Sequence, residues 1–189
     1  MKLYIKYDIN TTCKIILQEQ LEKLKMIFTL EGIGEVDLHE EVTDDVLIGL
    51  KANLSKYGIE ILENPKIILV QKIKDSIIEM VNLDDEVPPF KISVYLSDKL
   101  KLNYSYISKL FSDITYTSVE NFIILQKIER AKQLIISEEL TISEIAFKLN
   151  YSSASHFTNQ FKNTTGLTPT AFQRIIKKRR NSSVKLIAI

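Results

Sequence analysis

The chain has 189 residues, of which 45% are apolar and 26% charged, a composition that excludes a disordered chain and allows one sizeable domain or two small ones. A formal net charge of +1 conceals a division, because residues 1–90 hold 10 Lys against 17 acidic residues and residues 91–189 hold 15 basic against 7 acidic ones, net −7 and +8. One cysteine excludes an internal disulfide framework, and no stretch reaches the roughly 20 apolar residues of a membrane span. The opening MKLYIKYDINTTC has no apolar signal run, so a cytoplasmic protein without membrane contact is expected.

In the acidic half, Leu3, Ile5 and Tyr7 alternate with polar neighbours, the period of a half-buried strand. Asn10 to Thr12 offer capping oxygens to a helix over Cys13 to Lys25, whose apolar face is Ile16, Leu17, Leu21 and Leu24. Met26 to Leu30 and Glu35 to His39 read as strands joined by a Gly-containing turn. Thr43-Asp44-Asp45 opens a second helix with Val46, Leu47, Leu50 and Leu54 on one side, Gly58 stops it, and Ile59 to Leu62 reads as a last strand.

The order β-α-β-β-α-β over residues 1–63 is the ferredoxin-like plan. This half resembles the heavy-metal-associated domain, whose first loop carries Met-x-Cys-x-x-Cys. Here Asn10 stands in place of the first cysteine and only Cys13 remains, and Asn cannot supply the second thiolate that a soft metal needs. No metal or other cofactor is therefore expected. Cys13 is read as a small core residue and His39 as a solvated or edge-strand residue, and no nucleophile, base or carboxylate pair is visible. The half reads as a sensing, docking or dimerising module.

Asn64-Pro65 is a helix start, with a capping residue ahead of a proline whose missing N–H costs nothing in the first turn. Ile67, Ile68, Val70, Ile73, Ile77, Ile78, Met80 and Val81 give that helix a face too broad to stay in solvent, so it must pack on the first domain, on the basic half or on a second copy. Asp84 to Pro89 breaks the pattern and marks a hinge, making residues 64–90 a connecting segment.

The basic half, residues 91–176, is all helix. Ser93 to Lys101 would bury Val94, Leu96 and Leu100; Asn103 starts a segment with Tyr106, Ile107, Leu110 and Phe111 inward and Ser105, Ser108 and Lys109 outside. Val119 to Ile136 is one long helix burying Phe122, Ile123, Leu125, Ile128, Ala131, Leu134 and Ile135. Thr141 and Glu144 have capping-box spacing, and Ser153 caps a helix held by Phe157 and Phe161, with Ala154, Ser155, His156, Asn159, Gln160 and Lys162 on its other side. None of those six is acidic. Short amphipathic helices in pairs, in a stretch that over residues 91–189 carries an excess of eight positive charges, read as helix-turn-helix units facing nucleic acid.

The segment ISEIAFKLNYSSASHFTNQFKNTTGLTPTAFQ, with Ala146, Tyr151, Phe157, Phe161, Lys162, Gly166, Thr168 and Pro169, is similar to the signature of AraC/XylS-type DNA-binding domains, and the resemblance extends from Ile92 to about Ile176. Lys127 stands where that family usually has Arg, and Tyr116 takes the place of a turn glycine. The resemblance implies a non-enzymatic transcription regulator whose two recognition helices enter adjacent major grooves of duplex DNA. It places Tyr104, Ser105, Ser108 and Lys109 from the first unit and Ala154, Ser155, His156, Asn159, Gln160 and Lys162 from the second against bases or phosphates.

The fold class expected is thus α+β: a small ferredoxin-like βαββαβ domain, a connecting helix, an all-α double helix-turn-helix domain, and a basic tail over residues 177–189 whose Lys177 to Arg180 can attract phosphates. A homodimer through the N-terminal domain or the connecting helix, and an effector of the N-terminal domain, are open partners. The alternative functions are a metal-sensing or metal-chaperone protein and a non-enzymatic protein-interaction module.

Overall fold

A computed structural model describes residues 2–5, 8–31, 34–83, 91–137 and 139–187, with side chains described as far as residue 180. The expected hinge over Asp84 to Pro89 lies outside the described residues. The chain divides into two compact units, Met1–Leu69 and Val70–Ile189. The first contains strands and the second is all helix, the α+β division expected.

In the first unit, α1 (Ile9–Lys23) is followed by β1 (Phe28–Glu31), β2 (Glu35–Leu38) and α2 (Asp44–Ser55). The strands pair antiparallel with Phe28 opposite Leu38 and Leu30 opposite Val36. Period-2 alternation puts these four side chains on one face, where they pack on buried Leu21, Leu50 and Leu54 of the two helices and on Met26 of the segment before β1. Across the hairpin's other side, Thr29 Oγ1 lies 2.6 Å from His39 Nε2.

The finer expectations for this unit need correction. Residues 2–5 are not a strand and Leu3 and Ile5 are exposed, while Lys6 and Tyr7 lie outside the described residues; residues 59–62 are not a strand either. Among the described residues the sheet has two strands, giving the order α-β-β-α. Ile59 and Ile61 instead pack on the core from a coil. The α1 start is also earlier than read: Asp8 is the cap, its Oδ1 accepting from Thr11 N at 2.8 Å, so Asn10 to Thr12 are already helical.

In α3 (Pro65–Asn82), Asn64 Oδ1 accepts from Lys66 N at 2.9 Å, satisfying one of the free amides of the first turn. From Val70 onward the helix belongs to the second unit. Its broad apolar face is buried there, with Ile73 and Ile77 fully inaccessible, and Ser76 O accepts from Tyr95 OH at 3.4 Å while Glu79 pairs with Lys99. This answers what the helix packs on: Tyr95 and Lys99 lie on α4 (Ile92–Leu100).

The remaining helices are α5 (Tyr104–Thr115), α6 (Val119–Ser137), α7 (Ile142–Lys148), α8 (Ala154–Thr165) and α9 (Pro169–Ile187). Ile107, Phe111, Val119 and Ile123 close the core of the first half of the unit, and Ile128, Ala131, Ile135, Ile145, Phe157 and Phe161 that of the second, so α6 contributes to both. Val94, Tyr106 and Leu125, expected inside, are exposed. The last helix does not yield to a tail after Lys177; it continues to Ile187. Arg180 donates from Nη2 to Ile136 O at 2.6 Å, satisfying a carbonyl left free at the end of α6.

Candidate nucleic-acid interface

Two segments fifty residues apart fold in the same way. Asn103 caps α5 by accepting from Ser105 N at 2.8 Å, and Ser153 caps α8 by accepting from His156 N at 3.1 Å. Both helices have 12 residues and end in a left-handed residue, Tyr116 at φ 56° and Gly166 at φ 79°. Just before each stop a threonine hydroxyl turns back, Thr115 Oγ1 onto Phe111 O at 2.7 Å and Thr165 Oγ1 onto Phe161 O at 2.8 Å. Each core phenylalanine meets one from the following helix, Phe111 with Phe122 at 5.5 Å and Phe161 with Phe172 at 5.8 Å between ring centroids. These ring contacts pack each capped helix against the helix that follows it.

In each unit a preceding short helix completes the pair. The α7 start is a full capping box: Thr141 Oγ1 accepts from Glu144 N at 3.2 Å and Glu144 Oε2 accepts from Thr141 N at 2.7 Å, which holds the Glu144 carboxyl below its usual range. Leu149 and Tyr151 then carry the chain into α8, with the Tyr151 ring against Phe157.

The outward row of α8 is Ala154, Ser155, His156, Asn159 and Lys162, all exposed, with Gln160 half-buried at its edge. His156 is held in place, its Nδ1 3.0 Å from Ser152 Oγ and its ring edge-on to Tyr151, so that Nε2 is the ring nitrogen left to a partner. On α5, Ser105 and Lys109 are exposed and Ser108 is half-buried. The hydroxyl of Tyr104 donates to Glu120 Oε1 at 2.5 Å, and burial pushes this phenol well above its usual range. Asp113 is the only acid on the two helices.

Between the units, Lys127 of α6 lies with its Nζ 5.1 Å from the centroid of the Tyr151 ring, beside a cavity of about 10 Å³ lined by Met80, Val81, Lys127 and Leu149. Burial lowers the Lys127 ammonium and raises the Tyr151 phenol to about 12. Sequence reasoning flagged Lys127 only as a departure from Arg. It missed Tyr106, which lies on α5 at the place His156 holds on α8; aligning the two caps fifty residues apart would have found it.

Residues 96–175 match the family model described as a helix-turn-helix domain. The matched stretch runs from α4 into α9. Over 82 residues the chain is 30% identical to the Msm operon regulatory protein of Streptococcus mutans, covering 43% of this chain and 30% of that protein. Over 89 residues it is 32% identical to the transcriptional regulatory protein YesN of Bacillus subtilis, covering 46% of this chain and 24% of that one. The match thus spans less than a third of the length of either relative. The C-terminal domain of AraT, a response regulator from Geobacillus stearothermophilus, shares the fold, with a TM-score of 0.50 at 22% identity over 59% of this chain and 86% of that one. Among the described residues no group of three His, Cys, Asp or Glu side chains is placed to hold a metal ion, and no helix is long and apolar enough to cross a membrane.

Proposed function

We propose that the protein binds duplex DNA in a sequence-dependent manner and regulates transcription, as an AraC/XylS-type regulator acting in the cytoplasm. The observation that carries this is the repeated unit: two recognition helices with the same caps, the same left-handed stops and outward rows free of acid up to Asp113. A recognition helix of this kind presents its first two turns to base edges in the major groove. Asn159 and Gln160 supply amides able to pair bidentately with adenine, Lys109 supplies a donor for guanine, and Ser105, Ser108 and Ser155 supply hydroxyls. His156 offers Nε2, Lys162 offers charge to phosphate, Ala154 offers a methyl-sized surface, and Tyr104 braces the first helix beside the backbone.

For the N-terminal unit we propose a docking or effector-sensing role within a shortened ferredoxin-like frame. The α-β-β-α order, which corresponds to the four central elements of that plan, supports this reading, and exposed Ile15 and Ile48 supply apolar surface for a partner or a second copy. Selection of the full chain against a random duplex library tests the main reading. Enrichment of two short motifs about one helical turn, roughly 10 base pairs, apart is expected; no enrichment over background at moderate salt would overturn it.

A further inference from the structure

Two tyrosines sit in the first turn of α5, and the structure distinguishes them. Tyr104 has spent its hydroxyl on Glu120. Tyr106 is 49% exposed, and its hydroxyl makes no hydrogen bond among the described residues. It occupies the third helical position after the cap Asn103, as His156 does after Ser153.

The helix turns about 100° per residue, which puts Ser105, Lys109 and Ser112 along the middle of the outward face of α5. Tyr106 falls roughly 60° from Lys109 toward buried Leu110, at the rim of that face. The middle of a helix seated in the major groove meets base edges, and its rims face the sugar-phosphate walls. Side chains on a helix also lean toward its N-terminus, so a long phenol in the first turn reaches past the helix end, where the partial positive charge of the free amides favours phosphate.

We propose that Tyr106 anchors the first recognition helix by donating its hydroxyl to a phosphate oxygen of the duplex, an assignment that rests on the DNA-binding reading above. It fixes the register of α5 in its groove without reading sequence, and His156 holds the equivalent place in the second unit. The hydroxyl is free in the protein alone, so it needs no rearrangement to serve.

The test uses the full chain, the duplex enriched by the wild type, and a scrambled duplex of equal length. Tyr106→Phe keeps the ring and removes only the donor, and its thermal melting curve should match that of the wild type. Loss of one hydrogen bond to a charged oxygen should weaken binding about tenfold, by the same factor on both duplexes. A scan of single methylphosphonate substitutions should then find one position that weakens the wild type but no longer affects Tyr106→Phe. Affinity within twofold of wild type, or a loss confined to the enriched duplex, overturns the phosphate assignment and leaves DNA binding standing. If the wild type enriches no duplex, the DNA reading itself fails and this assignment falls with it.

Discussion

Tyr104 and Glu120 are joined by a 2.5 Å hydrogen bond that ties the first turn of α5 to the first turn of α6. The second unit has Ala154 and Thr170 at the matching positions and cannot make this tie. Tyr104→Phe should therefore loosen the first unit alone, costing about 1 kcal/mol for a hydrogen bond to a largely solvated carboxylate. The bond also holds the Glu120 carboxyl below its ordinary value of 4.5. A lowered carboxyl stabilises above its unfolded pKa and loses that contribution as pH falls through the folded one. Melting curves below pH 4.5 should accordingly be less pH-sensitive in Tyr104→Phe than in the wild type; equal sensitivity would show that the tie is energetically empty.

The stop after α5 is held at φ 56° by Tyr116, whose side chain is 93% exposed. A non-glycine residue in the left-handed region costs about 1 kcal/mol, and here no packing offsets it. Tyr116→Gly should raise stability by about that amount. Gly166→Ala, at φ 79° in the matching stop of α8, should lower it similarly. Opposite signs for the two substitutions in a single denaturant series are the expected result.

Among the described residues, the hydroxyl of Tyr151 is buried without a hydrogen-bond partner. Tyr151→Phe removes the unmet donor while keeping the ring beneath Lys127, and should stabilise the protein by about 1 kcal/mol at neutral pH. Because burial raises this phenol from 10.0 to about 12, its contribution is intact below pH 10 and is lost as pH climbs through that window. The alkaline fall in melting temperature between pH 10 and 12 should shrink in the variant.

The burial of Ile73 and Ile77 within the second unit sets where a stable fragment must begin. A chain starting at Pro65 keeps α3 whole and should melt cooperatively. One starting at Lys91 uncovers the surface that α3 shields, and should bind a hydrophobic dye and lose its sharp transition.

On DNA, Asn159→Ala should cost about 1–3 kcal/mol at the enriched site and relax preference at one base position. Lys162→Ala should weaken enriched and scrambled duplexes alike and reduce the salt slope by about 0.9. Parallel titrations over a salt series separate the two outcomes.

The helical half was legible because its signals are local and redundant. Thr141 with Glu144, Ser153 before α8, and Gly166 to Pro169 each mark a boundary by the hydrogen bonds a helix end requires. The strands expected at Leu3 to Tyr7 and Ile59 to Leu62 had only alternation to support them, and alternation says nothing about whether a neighbouring strand is present to complete the ladder. Asp8 was overlooked as the α1 cap because Asn10 to Thr12 offered the same chemistry two residues later. Tyr106 stands four residues before Leu110, a spacing that reads as inward, and Asn181, Ser182 and Ser183 read as a solvated tail, which hides the continuation of α9.

The fifty-residue correspondence between the two units means that each position on α5 has a matching address on α8, framed in both by a side-chain cap and a pair of phenylalanine rings. Exchanging Lys109 for Asn159 moves a charged donor between matching positions, whereas exchanging Tyr106 for His156 also changes the flanking groups, because Tyr151 and Ser152, which hold His156, correspond to Lys101 and Leu102. The outward face of either helix can thus be altered while the other stays as it is.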